Sequence, residues 1–165
     1  MGIGFMIKHH FFSAFRELFV SHHGSLEFRS KVFALIITAN SDIKDECYEI
    51  VKNIGMNIYN NDEDRANLLM LTTKELVKKV KDNNGLDIDI LVEHIQKELK
   101  IIPRYAKKID TDSIRLLVDL SHDRDTISYQ ENIIEFLEAI KKDTLLKKKK
   151  QIAKAEENLN CKYSN

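Results

Sequence analysis

Apolar residues recur at three- and four-residue steps along almost the whole chain, and nowhere do they alternate with period two long enough to demand a strand. A stripe of that spacing sits on one face of a helix, so each stretch needs neighbouring helices to cover it. Chain punctuation points the same way. Five glycines and a single proline in 165 residues are too few for a strand-and-turn fold, which needs them at many corners. With 43% hydrophobic and 32% charged residues, the chain is globular in composition and long enough to bury a core. The expected fold is all-α, a single-domain bundle of about seven helices.

The first stripe, over about residues 5–20, carries Phe5, Phe11, Phe12, Phe15, Leu18 and Phe19. Gly24 then breaks the chain, and Ser25 can cap a helix running to Ala39. The second half of that helix is almost wholly apolar, which predicts the central, most buried position; Phe33, Leu35 and Ile36, with Leu117 and Val118, are the expected core. Helices follow over about 43–59 and 63–81, the latter with a bend expected at Thr72-Thr73 and a stop at Asn83-Asn84-Gly85. Asp87 opens another, ended by Pro103, and Asp110 or Asp112 caps a short one. The last is expected from Ser128, where Ser128-Tyr129-Gln130-Glu131 matches a capping box, with the lysine-rich stretch continuing it past the compact core.

Formal net charge is zero, so no global field steers the chain to nucleic acid. Residues 141–154 nonetheless hold seven lysines against one aspartate, a local +6 that leaves −6 on the remainder. The run Lys147, Lys148, Lys149 and Lys150 lacks interleaved aromatics for base stacking and reads as a solvated helix end. Its other use is contact with an anionic membrane surface. Cys47 and Cys161 have neither metal nor disulfide spacing, which fits a reducing compartment. Lys8, His9, His10, Arg16 and Glu17 interrupt the apolar opening segment, unlike a signal peptide, and no stretch approaches the roughly 20 apolar residues of a membrane span. A cytoplasmic location is expected. The chain divides into an aromatic N-terminal helix (1–24), a helical domain (25–143) and a lysine-rich tail (144–165).

Two regions share a plan. Phe33–Ile54 and Arg115–Ile140 each have a strongly apolar helix, a short acidic loop, one isoleucine, a polar first turn and an amphipathic helix. Aligning Ile43 with Ile127 relates them, each isoleucine placed to pack back on the helix it precedes. This plan resembles the TerB-like family, named for tellurite-resistance proteins and found also beside J-domains in co-chaperones. The resemblance covers about residues 26–142. Where the family has Asp-Gly, this chain has Asn40-Ser41 and Arg124-Asp125; Cys47 stands at one closing Glu position, while Ile127, Ser128 and Glu131 fit the second copy. The resemblance implies a helical interaction or regulatory domain, stress-associated, in which acidic loop residues matter.

Those residues are Asp42, Asp45 and Glu46 in the first loop region and Asp123, Asp125 and Glu131 in the second. If the two halves face each other, converging carboxylates suit Ca²⁺ or Mg²⁺; otherwise they serve as caps and first-turn acids favoured by the helix dipole. Asp123-x-Asp125 does not open an EF-hand, because the glycine is missing and the twelfth position is Ile134. The pairs His9-His10 and His22-His23 are adjacent, and adjacent helical residues point about 100° apart, so neither is a ready chelate. No Gly-x-Ser-x-Gly, Cys/His pairing or Gly-rich phosphate loop is present, and no catalytic residue is assigned. The expected role is non-enzymatic, with another protein as partner. The alternative is a peripheral membrane or nucleic-acid binder acting through the basic tail.

Overall fold

The fold was established from a computed structural model, in which residues 24–164 are described. They form six α-helices: α1 (Gly24–Thr38), α2 (Glu46–Ile58), α3 (Glu63–Lys81), α4 (Ile88–Ile101), α5 (Thr111–Val118) and α6 (Arg124–Tyr163). A 3₁₀ helix, Pro103–Lys108, joins α4 to α5. No strand occurs among the described residues. The aromatic stripe of residues 5–20 lies outside them.

The near-continuous apolar run of α1 has the consequence its sequence dictates. Leu26, Phe28, Val32, Phe33, Ala34, Leu35, Ile36 and Ile37 are all buried, on every side of the helix rather than along one stripe. Helix α1 touches α3, α4, α5, α6 and the 3₁₀ helix. Each fully buried Leu, Ile or Phe contributes about 1.5–3 kcal/mol of transfer free energy, so this helix anchors the fold. The neighbours are amphipathic: α4 buries only Leu91, Ile95 and Leu99, at i, i+4 and i+8. Leu117 and Val118 are buried as expected.

Helix α2 lies against α3, and the approach is close at Gly55. A Cβ built there would come 3.0 Å from Ala66 Cα and 3.2 Å from both Ala66 Cβ and Leu69 Cδ2. Asn60, with φ 53°, turns the chain out of α2 in the left-handed conformation that asparagine tolerates. Asn83, with φ 49°, does the same after α3. There the Asn84 N–H donates to Lys79 O (2.9 Å) and the Asn83 N–H to Val80 O (3.2 Å), a Schellman stop at the expected Asn-Asn-Gly.

Capping explains where the elements begin. Asp62, Asp87 and Asp110 each accept the N–H three residues on, from Arg65, Ile90 and Ser113. Two local expectations are corrected. Ser25 lies inside α1 rather than capping it. Helix α6 starts at Arg124, one turn before Ser128. Asp123 accepts both the N–H of Thr126 (3.0 Å) and its hydroxyl (2.9 Å), so the helix nucleates there and Ser128 falls in its interior.

The two copies of the sequence plan therefore diverge at their junctions. Ile43 lies in the loop before α2, whereas Ile127 lies within the first turns of α6. Both pack against the core.

Candidate functional site

The loops that follow α1 and α5 do meet, through amides and a hydroxyl. Asn40 Nδ2 donates to Ser121 Oγ at 3.2 Å. Ser121 Oγ donates to Gln130 Oε1 at 3.0 Å, and Gln130 Nε2 donates to Ile36 O at 3.1 Å. Gln130 is 1% exposed, so its amide has exchanged water for these partners alone. The relay answers a specific need. The last carbonyls of a helix have no intrahelical donor, and α1 ends inside the core. Thr38 Oγ1 lies 3.2 Å from Leu35 O, Gln130 serves Ile36 O, and the Asn40 N–H serves Ile37 O at 3.1 Å. Asn40 Oδ1 also takes the Asp42 N–H at 2.9 Å, fixing the loop.

The six acidic residues do not join this relay. Asp42 is exposed in the loop, and Asp45 stands before α2 with no side-chain cap bond. Glu46 is in the first turn of α2 and Asp125 in the first turn of α6, where helix N-termini favour acids. Asp123 is the cap of α6, and the Thr126 N–H and hydroxyl hold its carboxyl below the usual carboxylate range. Glu131 forms a bidentate pair with Arg115, its oxygens 3.0 and 2.8 Å from Nη1, and so does not close a capping box. Among the described residues, no three of His, Cys, Asp and Glu gather as a metal site.

Cys47 is buried beside the first loop, and burial together with Asp45 pushes its thiol up to about 11. A thiol held protonated at neutral pH is a poor nucleophile. Cys161 is exposed near the end of α6. His94 and His122 are exposed on separate elements, and the histidine pairs of the N-terminal segment lie outside the described residues.

The unusual surface is on α6. At 40 residues the helix is about 60 Å long at 1.5 Å per residue. It crosses the expected boundary at residue 144 without a break. The first half buries Ile133, Ile134 and Leu137, and the last core contact is made by Leu145. From Gln151 onward every described residue is exposed. Ile152, Leu159 and Tyr163 are 50%, 54% and 86% exposed. Lys147 is paired with Asp143 at 2.9 Å. Where the helix leaves the body, Lys107 of the 3₁₀ helix and Leu145, Lys149, Ile152 and Glu156 line an open groove of about 460 Å³. A second cleft, of about 340 Å³, lies between the end of α4 and α6, among Leu99, Pro103, Ile140 and the heads of Lys100 and Lys148.

No protein-family model, curated protein or solved structure matches the chain. No helix among the described residues is long and apolar enough to cross a membrane.

The meeting of the two loops was one of two readings the sequence offered, and the residues that join them are not the acidic ones. Gln130 was absorbed into the capping box. The missed signal is its place on the stripe Thr126, Gln130, Ile133, Ile134, Leu137, where a lone amide on a buried face needs partners.

Proposed function

We infer that this chain is a non-enzymatic helical interaction module whose capture element is the projecting half of α6. The observation that carries the reading is the exposure of Ile152, Leu159 and Tyr163 on one helix beyond the body. Burying apolar side chains of this kind against a partner helix or groove is the standard way an amphipathic helix binds protein. The polar groups that a catalytic reading would recruit already have structural work: Gln130, Ser121 and Asn40 close the end of α1, and Glu131 holds Arg115. A TerB-like origin, with a cytoplasmic, stress-associated role, is the family part of this proposal. It is supported by the plan shared between the two helix pairs and by the contact of their loops through Asn40 and Ser121. A bound Ca²⁺ or Mg²⁺ is not needed for it.

Removing residues 152–165 tests the reading. The truncated chain keeps every core residue, so its helicity and melting temperature should stay close to those of the intact chain. Capture of a partner protein from a native lysate should be lost. Capture that survives the truncation contradicts the assignment. Binding to anionic vesicles or nucleic acid, lost when Lys147–Lys150 become glutamine, would favour the basic-tail alternative.

A further inference from the structure

We propose that the partner taken by the projecting half of α6 is a second copy of this chain, the two helices lying antiparallel about a two-fold axis at Ile152. The pairing rests on the reading of that half as the capture element and gives it an occupant. Spacing, charge and shape each match this helix to its own reverse. Leu145, Ile152 and Leu159 are seven residues apart, and at 100° per residue such positions drift only about 20° per step, so they share one face. The set is symmetric about Ile152. Reversing one copy against the other sets Ile152 on Ile152 and each Leu159 level with Leu145 of the second copy. The resulting seam is about 21 Å long, with the two bodies at its opposite ends.

Charge changes sign across the same residue. Lys147, Lys148, Lys149 and Lys150 precede Ile152, and Glu156 and Glu157 follow it. In the reversed pairing Lys148 of each copy falls level with Glu156 of the other, and Lys147 with Glu157, so the symmetry makes every such contact twice. A parallel pairing instead brings the lysine run and the two glutamates against their own copies, where like charges repel. Lys150 level with Lys154 is the like-charge pair that opposes the antiparallel arrangement. Shape agrees with charge at the groove where α6 leaves the body. Leu145, Ile152 and Ala153 give it apolar walls, and it holds Lys107, Lys148 and Lys149 against one acid, Glu156. Leu145 is half-buried there against the core, whereas Leu159 is 54% exposed. The reversed helix delivers Leu159 to the apolar wall of the second copy's groove and Glu156 to its amines. Each copy therefore fills the other's groove with the end of its own helix.

Sedimentation equilibrium of the full-length chain tests the pairing. The average mass should rise from that of one chain toward that of two as concentration increases. Lys148→Glu and Glu156→Lys replace no core residue, and each should weaken self-association about tenfold or more at unchanged melting temperature. Mixing these two variants puts opposite charges at both contacts, so the mixture should regain the parent's association. Ile152→Ser acts on both copies at the axis and should leave a monomer. A monomer at every concentration would overturn the pairing, as would a dimer that survives Ile152→Ser or a mixture of the charge variants that stays apart. The capture reading fails separately. A chain that stays monomeric, yet loses capture of a different protein when residues 152–165 are removed, would overturn the second copy as occupant and keep α6 as the capture element. Association lost in each charge variant and regained on mixing would uphold the pairing even where capture of other proteins survives that truncation.

Discussion

Gln130 shows how much one residue can decide. Its amide supplies the donor for Ile36 O and the acceptor for Ser121, both inside the core. Replacing it with leucine of similar size leaves Ile36 O without this donor and the Ser121 hydroxyl without its acceptor, each loss costing about 1–3 kcal/mol. Gln130→Leu should therefore destabilise the protein by about 2–4 kcal/mol in denaturant titration, despite the added apolar surface. A loss below about 0.5 kcal/mol would mean the relay is incidental. Cys47 offers a test by pH. Its ordinary value of 9.0 is raised to about 11 in the fold, first by burial and then by Asp45. Tyr48 beside it is raised from 10.0 to about 12, chiefly by burial. A raised value means the folded state holds the proton more tightly than the unfolded chain, so the stability this confers is complete below about pH 9. It is lost as pH climbs from 9 through 11. Unfolding free energy should fall over that window, and Cys47→Ala should flatten the fall; equal slopes in the two proteins would contradict this.

At the scale of elements, the sequence was legible wherever a local signal acts alone. Asp62, Asp87 and Asp110 begin helices in the acidic segments expected, and Asn83 and Asn84 end α3 where they should. It misled where two local signals compete. Ser128 with Glu131 and Asp123 with Thr126 could each start the last helix, and Asp123 prevails because a backbone N–H and a hydroxyl converge on its carboxylate. Glu131 was then free to meet Arg115 on another helix, a partner no local pattern reveals. The closeness of α2 and α3 was likewise invisible, since Gly55 reads in sequence only as a weak helix residue. Its lack of a side chain is what admits Ala66 and Leu69. Gly55→Val should cost about 1–3 kcal/mol through overpacking, seen as a melting temperature lower by about 2–4 °C per kcal/mol. An unchanged melting temperature would mean the two helices can move apart freely.

For the whole molecule, periodicity and scarce turn residues were enough to give an all-α bundle with α1 at its centre. The site was only partly legible. The two loops meet, as one of the two readings of the sequence required, while the acidic residues are dispersed: Asp123 caps a helix, Glu46 and Asp125 sit in first turns, Glu131 is ion-paired, and Asp42 is exposed in its loop. Their charge made them conspicuous in sequence. The residues that join the loops are uncharged, and their partners are up to 94 positions away. The lysine run was read as a solvated helix end, but the helix runs on to Tyr163, and that reading passes over the leucines and isoleucine that share it. Apolar residues at seven-residue steps beyond the last core contact are the feature from which the functional account starts.

That account is tested most directly by capture with a single exposed side chain changed. Ile152→Ser and Leu159→Ser alter no buried residue, so both proteins should melt within about 1 °C of the parent, as surface changes usually do. Partner recovered on the immobilised Ile152→Ser protein should drop at least tenfold from the parent, with Leu159→Ser also reduced. Undiminished recovery on both variants, at unchanged melting temperature, would contradict the assignment of this helix as the capture element.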